Sequence, residues 1–343
     1  MSFCLAKTQS VSGSDVVSVS PTGHLEATDY VGQASRRYQC SETSLLCEPN
    51  TITGFRAIGR RVDRRPIQCS VSFSFLGMDL VLSIIILLLI PVALGIYGRM
   101  FWRVYANHTG KVFVGAYSLL DGLLAGGLIL IVVTQLFANV DSTRVSLPAN
   151  VDTRSLLLSA LYFWGLILGT ILLSLRLRGF RLSTVFGMDQ LPLRKSILWG
   201  ISLLVCALPL ILAASYLASY FLHSDPTTDS QEIIQVFERS GSIGQRLPII
   251  LLAVAIAPIA EELAFRGYLY GVMRRYFGAL PALVFTAVLF AIIHLNVPTL
   301  FPLFILSCLF TVSYEATGSL LVPMTMHALF NTLNLIAIAF QTK

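Results

Sequence analysis

A chain of 343 residues in which 55% of the side chains are apolar and only 12% charged, with a mean hydropathy of +0.75, is too apolar for a soluble domain. The formal charge of +6 does not point to nucleic acid, because the basic residues fall in short clusters between apolar runs and form no basic stripe with interleaved aromatics. The composition predicts an all-α fold, a polytopic helical bundle whose solvent is the lipid bilayer.

Residues 1–77 are rich in Ser, Thr, Gly and charge and show no sustained apolar periodicity, so a largely disordered segment is expected there. Cys4, Cys40, Cys47 and Cys69 lie in it, while Cys206 and Cys308 lie in apolar runs, and none has the CxxC spacing of a zinc knuckle or redox pair. At Met78 the character changes. Apolar stretches follow at about 79–98, 113–138, 155–175, 196–222, 247–273, 279–296, 301–314 and 319–340. Most approach the roughly 20 residues that carry a helix across about 30 Å of hydrocarbon. About eight transmembrane helices are therefore expected, with 301–314 short enough for a re-entrant segment. They divide into an N-terminal set over 78–244 and a C-terminal set over 245–340 that carries the unusual residues.

Basic residues collect in cytoplasmic loops. Arg99, Arg103 and Lys111 mark one such loop, Arg176, Arg178, Arg181, Arg194 and Lys195 another, and Arg274 with Arg275 a third. The stretch His223–Glu238, with Asp225, Asp229, Glu232 and Glu238, reads as the opposite side. This alternation starts the first helix outside the cytoplasm, whereas Arg60, Arg61, Arg64 and Arg65 just upstream would hold it inside. A translation start at Met78 would remove the conflict; an irregular bundle would also satisfy it.

Within the second apolar run, Leu120-Asp121-Gly122 stands without the HExxH that a zinc-dependent aspartate site would need, and Asp121 is expected to be structural. No GxSG serine or GxGD aspartate pair appears in an apolar helix. The fifth run holds Glu261, Glu262 and Arg266, each costing at least about 2.5 kcal/mol at the middle of a membrane unless it faces a partner or a wet cavity. Glu262 and Arg266, four apart with the acid first, share one helical face, and alone would read as a buried structural pair. Glu261 lies about 100° around the helix, has no obvious mate, and is free to accept a proton. The next run ends in Phe290 to His294, and the last carries His327 and Asn331 on one face. Glu261 with His294 suits activation of a water, and His327 with Asn331 suits an oxyanion. In a plain up-and-down trace Glu261 is near mid-helix and His294 near the end of its run, so their meeting requires a tilt, a kink or a different helix boundary.

These residues resemble the CPBP intramembrane metalloprotease or glutamic endopeptidase group, the CAAX proteases and bacteriocin-processing enzymes also called the Abi family. Its EExxxR motif matches Glu261, Glu262 and Arg266; FxxxH matches Phe290 and His294; HxxxN matches His327 and Asn331. A small-residue turn like the family's precedes the third motif at Tyr314 to Leu320. The resemblance covers about 245–338. It implies hydrolysis of peptide bonds in membrane-associated protein or peptide substrates, prenylated CAAX-type or bacteriocin-like. Glu261 and His294 would activate water, His327 and Asn331 would bind the oxyanion, and Glu262 and Arg266 would support the site. It also leaves open a zinc ion on Glu261, His294 and His327, since the family is described both with and without a catalytic metal. The readings set against it are an ion- or proton-coupled transporter and a non-catalytic membrane scaffold or immunity factor. The location implied is a multi-pass position in the plasma membrane of a bacterium or an endomembrane of a eukaryote.

Overall fold

The computed structural model describes residues 16–19, 25–28, 35–40, 47–49, 76–140, 153–222 and 243–341. They fall into two compact units, Met1–Ser83 and Ile84–Lys343. In the first, where an unstructured segment is expected from composition, four short strands form an antiparallel meander: β1 Val16–Val19, β2 Leu25–Thr28, β3 Ser35–Cys40 and β4 Cys47–Pro49. Each pairs only with its chain neighbour, as in the register Val16 to Thr28 and Leu25 to Tyr38. Such local pairing needs no long apolar run, which is why an absence of sustained periodicity does not exclude it. The acidic stretch His223–Glu238 and the cluster Arg60, Arg61, Arg64 and Arg65, on which the orientation argument rests, lie outside the described residues.

The second unit is helical. Its elements are α1 Leu76–Phe101, α2 Leu119–Val140, α3 Thr153–Leu177, the single turn α4 Leu182–Val185, and α5 Leu193–Leu222. A long rod follows, α6, over residues 243–277, and then α7 Ala279–Ile292, α8 Val297–Thr317 and α9 Leu321–Gln341. Among the described residues six helices are long and apolar enough to cross a membrane, and Leu119–Ile131 and Ala279–Ile292 are shorter apolar helices. The stretches that pack outward carry Leu87, Leu88, Leu123, Tyr162, Leu166 and Phe221 exposed, as lipid-facing surfaces should.

The short helix is α7, not α8. Asn296 caps α8 by accepting from the Thr299 amide at 3.1 Å, and a proline occupies the first turn, where its missing N–H costs nothing. That cap extends α8 back to Val297, and Gly318, at φ +75°, ends it by donating its amide to the Tyr314 carbonyl at 2.7 Å. The result is 21 residues, longer than the apolar run over 301–314 that is short enough for a re-entrant segment. The same cap ends the preceding helix early: α7 has 14 residues, a rise of about 21 Å against roughly 30 Å of hydrocarbon.

The long rod α6 is not a uniform α-helix. The α-helical pieces Ile243–Leu251, Ala257–Glu262 and Tyr270–Phe277 alternate with π-helical Leu252–Ile256 and Leu263–Leu269. Pro258 gives the first π-turn a local cause, since it can donate no hydrogen bond and its ring displaces the carbonyl one turn back. Gly278, at φ +86°, then reverses the chain within one residue, so α6 and α7 form a tight antiparallel hairpin.

Around this hairpin α5 packs along α8 and α9, α7 along α8, and α9 along the middle of α6. Close approach depends on small residues, as is usual where no hydrophobic drive separates helix from lipid. At Gly200 of α5 an added Cβ would lie 2.6 Å from the Thr325 Cβ of α9. On α6, Gly267 and Gly271, one turn apart, admit the rings of Phe186 and Tyr117. Overpacking of this kind costs about 1–3 kcal/mol. Gly200→Ala is therefore expected to lower the thermal midpoint of the detergent-solubilised protein, whereas Gly95→Ala, which would meet nothing within 4 Å, leaves it in place.

Candidate active site

Gly278 sets the height of the site. Glu261 lies 17 positions before it and His294 16 positions after it, so at about 1.5 Å per residue the two arms of the hairpin bring both side chains to nearly the same depth. No tilt of the whole helix is needed. Instead the early end of α7 leaves His294 in the turn that leads to Asn296, facing inward at mid-bundle and half-buried.

Glu262 and Arg266 form the pair that their spacing predicts, with Arg266 Nη1 donating to Glu262 Oε1 at 2.7 Å. Both are buried, at 0% and 1% exposure. The guanidinium's other arm, Nη2, donates to Ser307 Oγ of α8 at 2.7 Å. Its face lies 4.4 Å from the Phe290 ring and 5.2 Å from the Phe310 ring, so the cation is held by one carboxylate, one hydroxyl and two π-faces. Phe290 is thus placed as part of the arginine's box, and it also stands edge-on to Phe265 at 5.3 Å.

The histidine of α9 joins this pair. His327 Nδ1 lies 2.9 Å from the same Glu262 Oε1, and its Nε2 lies 3.8 Å from Glu261 Oε2. A carboxylate already paired with arginine accepts, so Nδ1 carries the proton and Nε2 presents its lone pair toward Glu261. His294 follows the same logic: its Nδ1 lies 2.7 Å from the Phe290 carbonyl, an acceptor, which leaves Nε2 unprotonated. Asn331 lies one turn beyond His327, and its Nδ2 donates to the Ala253 carbonyl at 2.8 Å. Ala253 is in the first π-turn, and the widened helix there leaves a carbonyl for a side chain to satisfy. In the second π-turn the Tyr117 hydroxyl plays the corresponding part on the Gly267 carbonyl.

The arrangement leaves a conspicuous debt. Among the described residues, three buried side-chain polar atoms lack any protein partner, and two of them are Oε2 of Glu261 and Oε2 of Glu262. Glu261 is the more open carboxylate, with 15% of its side chain exposed against 0% for Glu262. Unsatisfied carboxylate oxygens in an apolar bundle are costly unless a water or another donor meets them.

All seven residues singled out by the motifs, Glu261, Glu262, Arg266, Phe290, His294, His327 and Asn331, lie on α6, α9 and the end of α7. Ser307 and Phe310 of α8 carry no motif, yet complete the arginine's surroundings; a serine and a phenylalanine in an apolar run give no sequence signal of that part. A ligand set of Glu261, His294 and His327 for zinc is not assembled in this arrangement: among the described residues no group of three or more His, Cys, Asp or Glu side chains is placed to hold a metal ion.

Two further buried carboxylates are fully engaged. Asp121 of α2 takes Arg178 on both oxygens at 2.7 Å, together with the Ser118 amide and hydroxyl. Glu315 of α8 takes Arg274 at 3.0 Å and the Tyr270 hydroxyl at 2.5 Å. Arg274, which charge patterning assigns to a loop, is thus a half-buried pin between α6 and α8, and its Nη1 also holds the Val112 carbonyl at 2.6 Å.

Membrane-length helices packed about a buried cluster of acids, histidines and one arginine define an integral multi-pass membrane protein with a polar site inside the bundle. Residues 243–333 match the family of type II CAAX prenyl endopeptidases, Rce1-like. The matched segment begins with α6 and ends just past Asn331, so it contains every motif residue. No curated protein and no solved structure matches the chain.

Breaking a buried pair by removing one partner costs about 3–5 kcal/mol, because it leaves an uncompensated charge. Arg266→Leu should accordingly lower the unfolding midpoint in detergent steeply, and Arg266→Leu combined with Glu262→Leu should recover a large part of that loss. A double variant no more stable than Arg266→Leu would mean that the two side chains do not act as a pair.

Proposed function

We propose that this protein hydrolyses peptide bonds of membrane-associated substrates inside the bilayer, at a site made by Glu261, Glu262, His294, His327 and Asn331. The observation that carries this reading is that Glu261 and Glu262, which flank the His327 imidazole through Oε2 and Oε1 respectively, each keep a buried Oε2 without a hydrogen bond. A cluster built only to pin helices would close those oxygens, as Asp121 and Glu315 are closed.

The substrate water loses a proton to Glu261, with the lone pair of His294 Nε2 helping to orient it, and its oxygen attacks the scissile carbonyl carbon. The proton passes from Glu261 Oε2 to His327 Nε2. This makes an imidazolium whose Nδ1 proton is held by Glu262, the carboxylate that Arg266 pairs with. The imidazolium and the second N–H of the Asn331 amide then face the developing oxyanion, and the pre-set donors need no solvent reorganisation when it forms. As the C–N bond breaks, the imidazolium returns its proton to the leaving amine, and His327 recovers its lone pair.

The family match favours prenylated CAAX-type proteins as the substrate class, with bacteriocin-like peptides as the other class that the motif resemblance suggests. Purified protein is expected to cleave members of a panel of fluorogenic membrane-anchored and prenylated peptides, and Glu261→Ala and His294→Ala to lose at least about a hundredfold in kcat. Cleavage that survives in both variants removes this site from the chemistry. The same assay with and without a chelator distinguishes a metal-dependent reaction from one run by glutamate and histidine alone.

A further inference from the structure

Arg266 carries two N–H arms suited to take both oxygens of a carboxylate at once, the fork-to-fork pairing that arginine favours. With Glu262 it does not. Only Nη1 reaches the carboxylate, on Oε1 at 2.7 Å, while Nη2 is turned to Ser307 Oγ at 2.7 Å. Oε2 is left without a partner although it is buried. Glu262 ends an α-helical segment and Arg266 lies within the second π-turn, four positions on, so the two are neighbours on the helix. The diversion comes from α8, where Ser307 is 1% exposed and Phe310, one turn away on the same helix, stacks against the guanidinium from 5.2 Å.

We propose that Ser307 is a positioning residue of the active site: by engaging one arm of Arg266 it keeps the Arg266–Glu262 pair single-pronged. Glu262 can then hold His327 Nδ1 with Oε1 and keep Oε2 open toward the reacting groups. Without the hydroxyl, Nη2 loses its partner on α8, and Glu262 Oε2, buried and without a partner on the same ion pair, is an acceptor open to it. A guanidinium closed on both oxygens satisfies the pair better than the present geometry does, draws the carboxylate away from His327, and removes the constraint that fixes the imidazole's proton on Nδ1. Stability and activity should therefore part company at this position. Most buried serine-to-alanine changes beside a charge lower both.

The kinetic half of this inference rests on the peptidase reading, and the geometric half does not. In wild type, Ser307→Ala and Ser307→Thr, kcat and KM for a cleaved prenyl peptide, the unfolding midpoint in detergent, and the crystal structure of the alanine variant are compared. Ser307→Ala is expected to lower kcat about tenfold to a hundredfold with KM within twofold, the size of effect that a misplacement of about 1 Å produces. Its midpoint should be unchanged or raised, and Arg266 Nη2 should lie within hydrogen-bond distance of Glu262 Oε2. Ser307→Thr, which keeps the hydroxyl, should return kcat to near the wild-type value. A midpoint that falls together with kcat, without rescue by threonine, reduces Ser307 to packing and overturns the proposal. An alanine variant whose Arg266 keeps its single-pronged contact overturns it as well. If the wild-type protein cleaves nothing, the peptidase reading fails, and the position of Nη2 in the alanine structure still decides for or against the role of Ser307.

Discussion

A guanidinium and a carboxylate cannot stay charged in hydrocarbon alone, and the need to neutralise Arg266 and Glu262 organises the C-terminal half of this protein. A charge at the bilayer centre costs at least about 2.5 kcal/mol even on lenient scales, and truncating one partner of a buried pair strands the other. Arg266 is therefore surrounded by contributions from three helices: Glu262 from its own, Phe290 from α7, and Ser307 with Phe310 from α8. His327 of α9 closes the assembly from a fourth. Four helices are thus placed by the electrostatics of one cation, and their apolar packing fills in around it.

Depth is set by a different device, the one-residue reversal at Gly278. Because α6 and α7 run away from that turn in opposite directions, residues at equal distances from it come level, and Glu261 and His294 are nearly equidistant. The π-turns refine this arrangement. Each widens α6 by one residue's worth of rotation and leaves a carbonyl for a side chain from elsewhere. Asn331 takes the one at Ala253 and Tyr117 the one at Gly267. The first of these contacts ties the end of the third motif to the helix that carries the first, so the two π-turns register the bundle as well as bend it.

Much of this is visible in the sequence, because helical spacing is local. The four-residue intervals between Glu262 and Arg266 and between His327 and Asn331 fix shared faces without any knowledge of the fold; Glu262, Arg266 and His327 meet in one cluster, and Asn331 bonds the Ala253 carbonyl of α6. Helix lengths were less readable. The apolar run over 279–296 continues past the point where Asn296 caps the next helix, so hydropathy alone lengthens α7 and shortens α8. Ser307 leaves no trace, since its partner lies 41 positions away and a serine in an apolar helix ordinarily bonds to its own backbone, as Thr311 and Ser313 do. The meander between Val16 and Pro49 is likewise hidden, because strands of three to six residues produce no periodicity that a composition argument detects.

Three buried acid clusters can be compared within the one bundle, and the comparison isolates what is special about the site. Asp121 accepts five hydrogen bonds, from Arg178, Ser118 and Tyr268. Glu315 accepts from Arg274, Tyr270 and the Val112 amide, and so ties α6 to α8 and to the residues before α2. Both carboxylates have protein partners on both oxygens. Glu261 and Glu262 share a neighbourhood with one arginine and one histidine, yet the Oε2 atom of each stays without a hydrogen bond, and the arginine directs one of its arms to a serine instead. The shortage is not a packing accident, because the same helices supply full partnerships a few turns away at Glu315. In a low-dielectric interior an acceptor left open is held at high free energy until a donor arrives. A water or a peptide group would be such a donor, and under the proposed peptidase reading the acceptors that the fold leaves open at Glu261 and Glu262 are the ones that meet it.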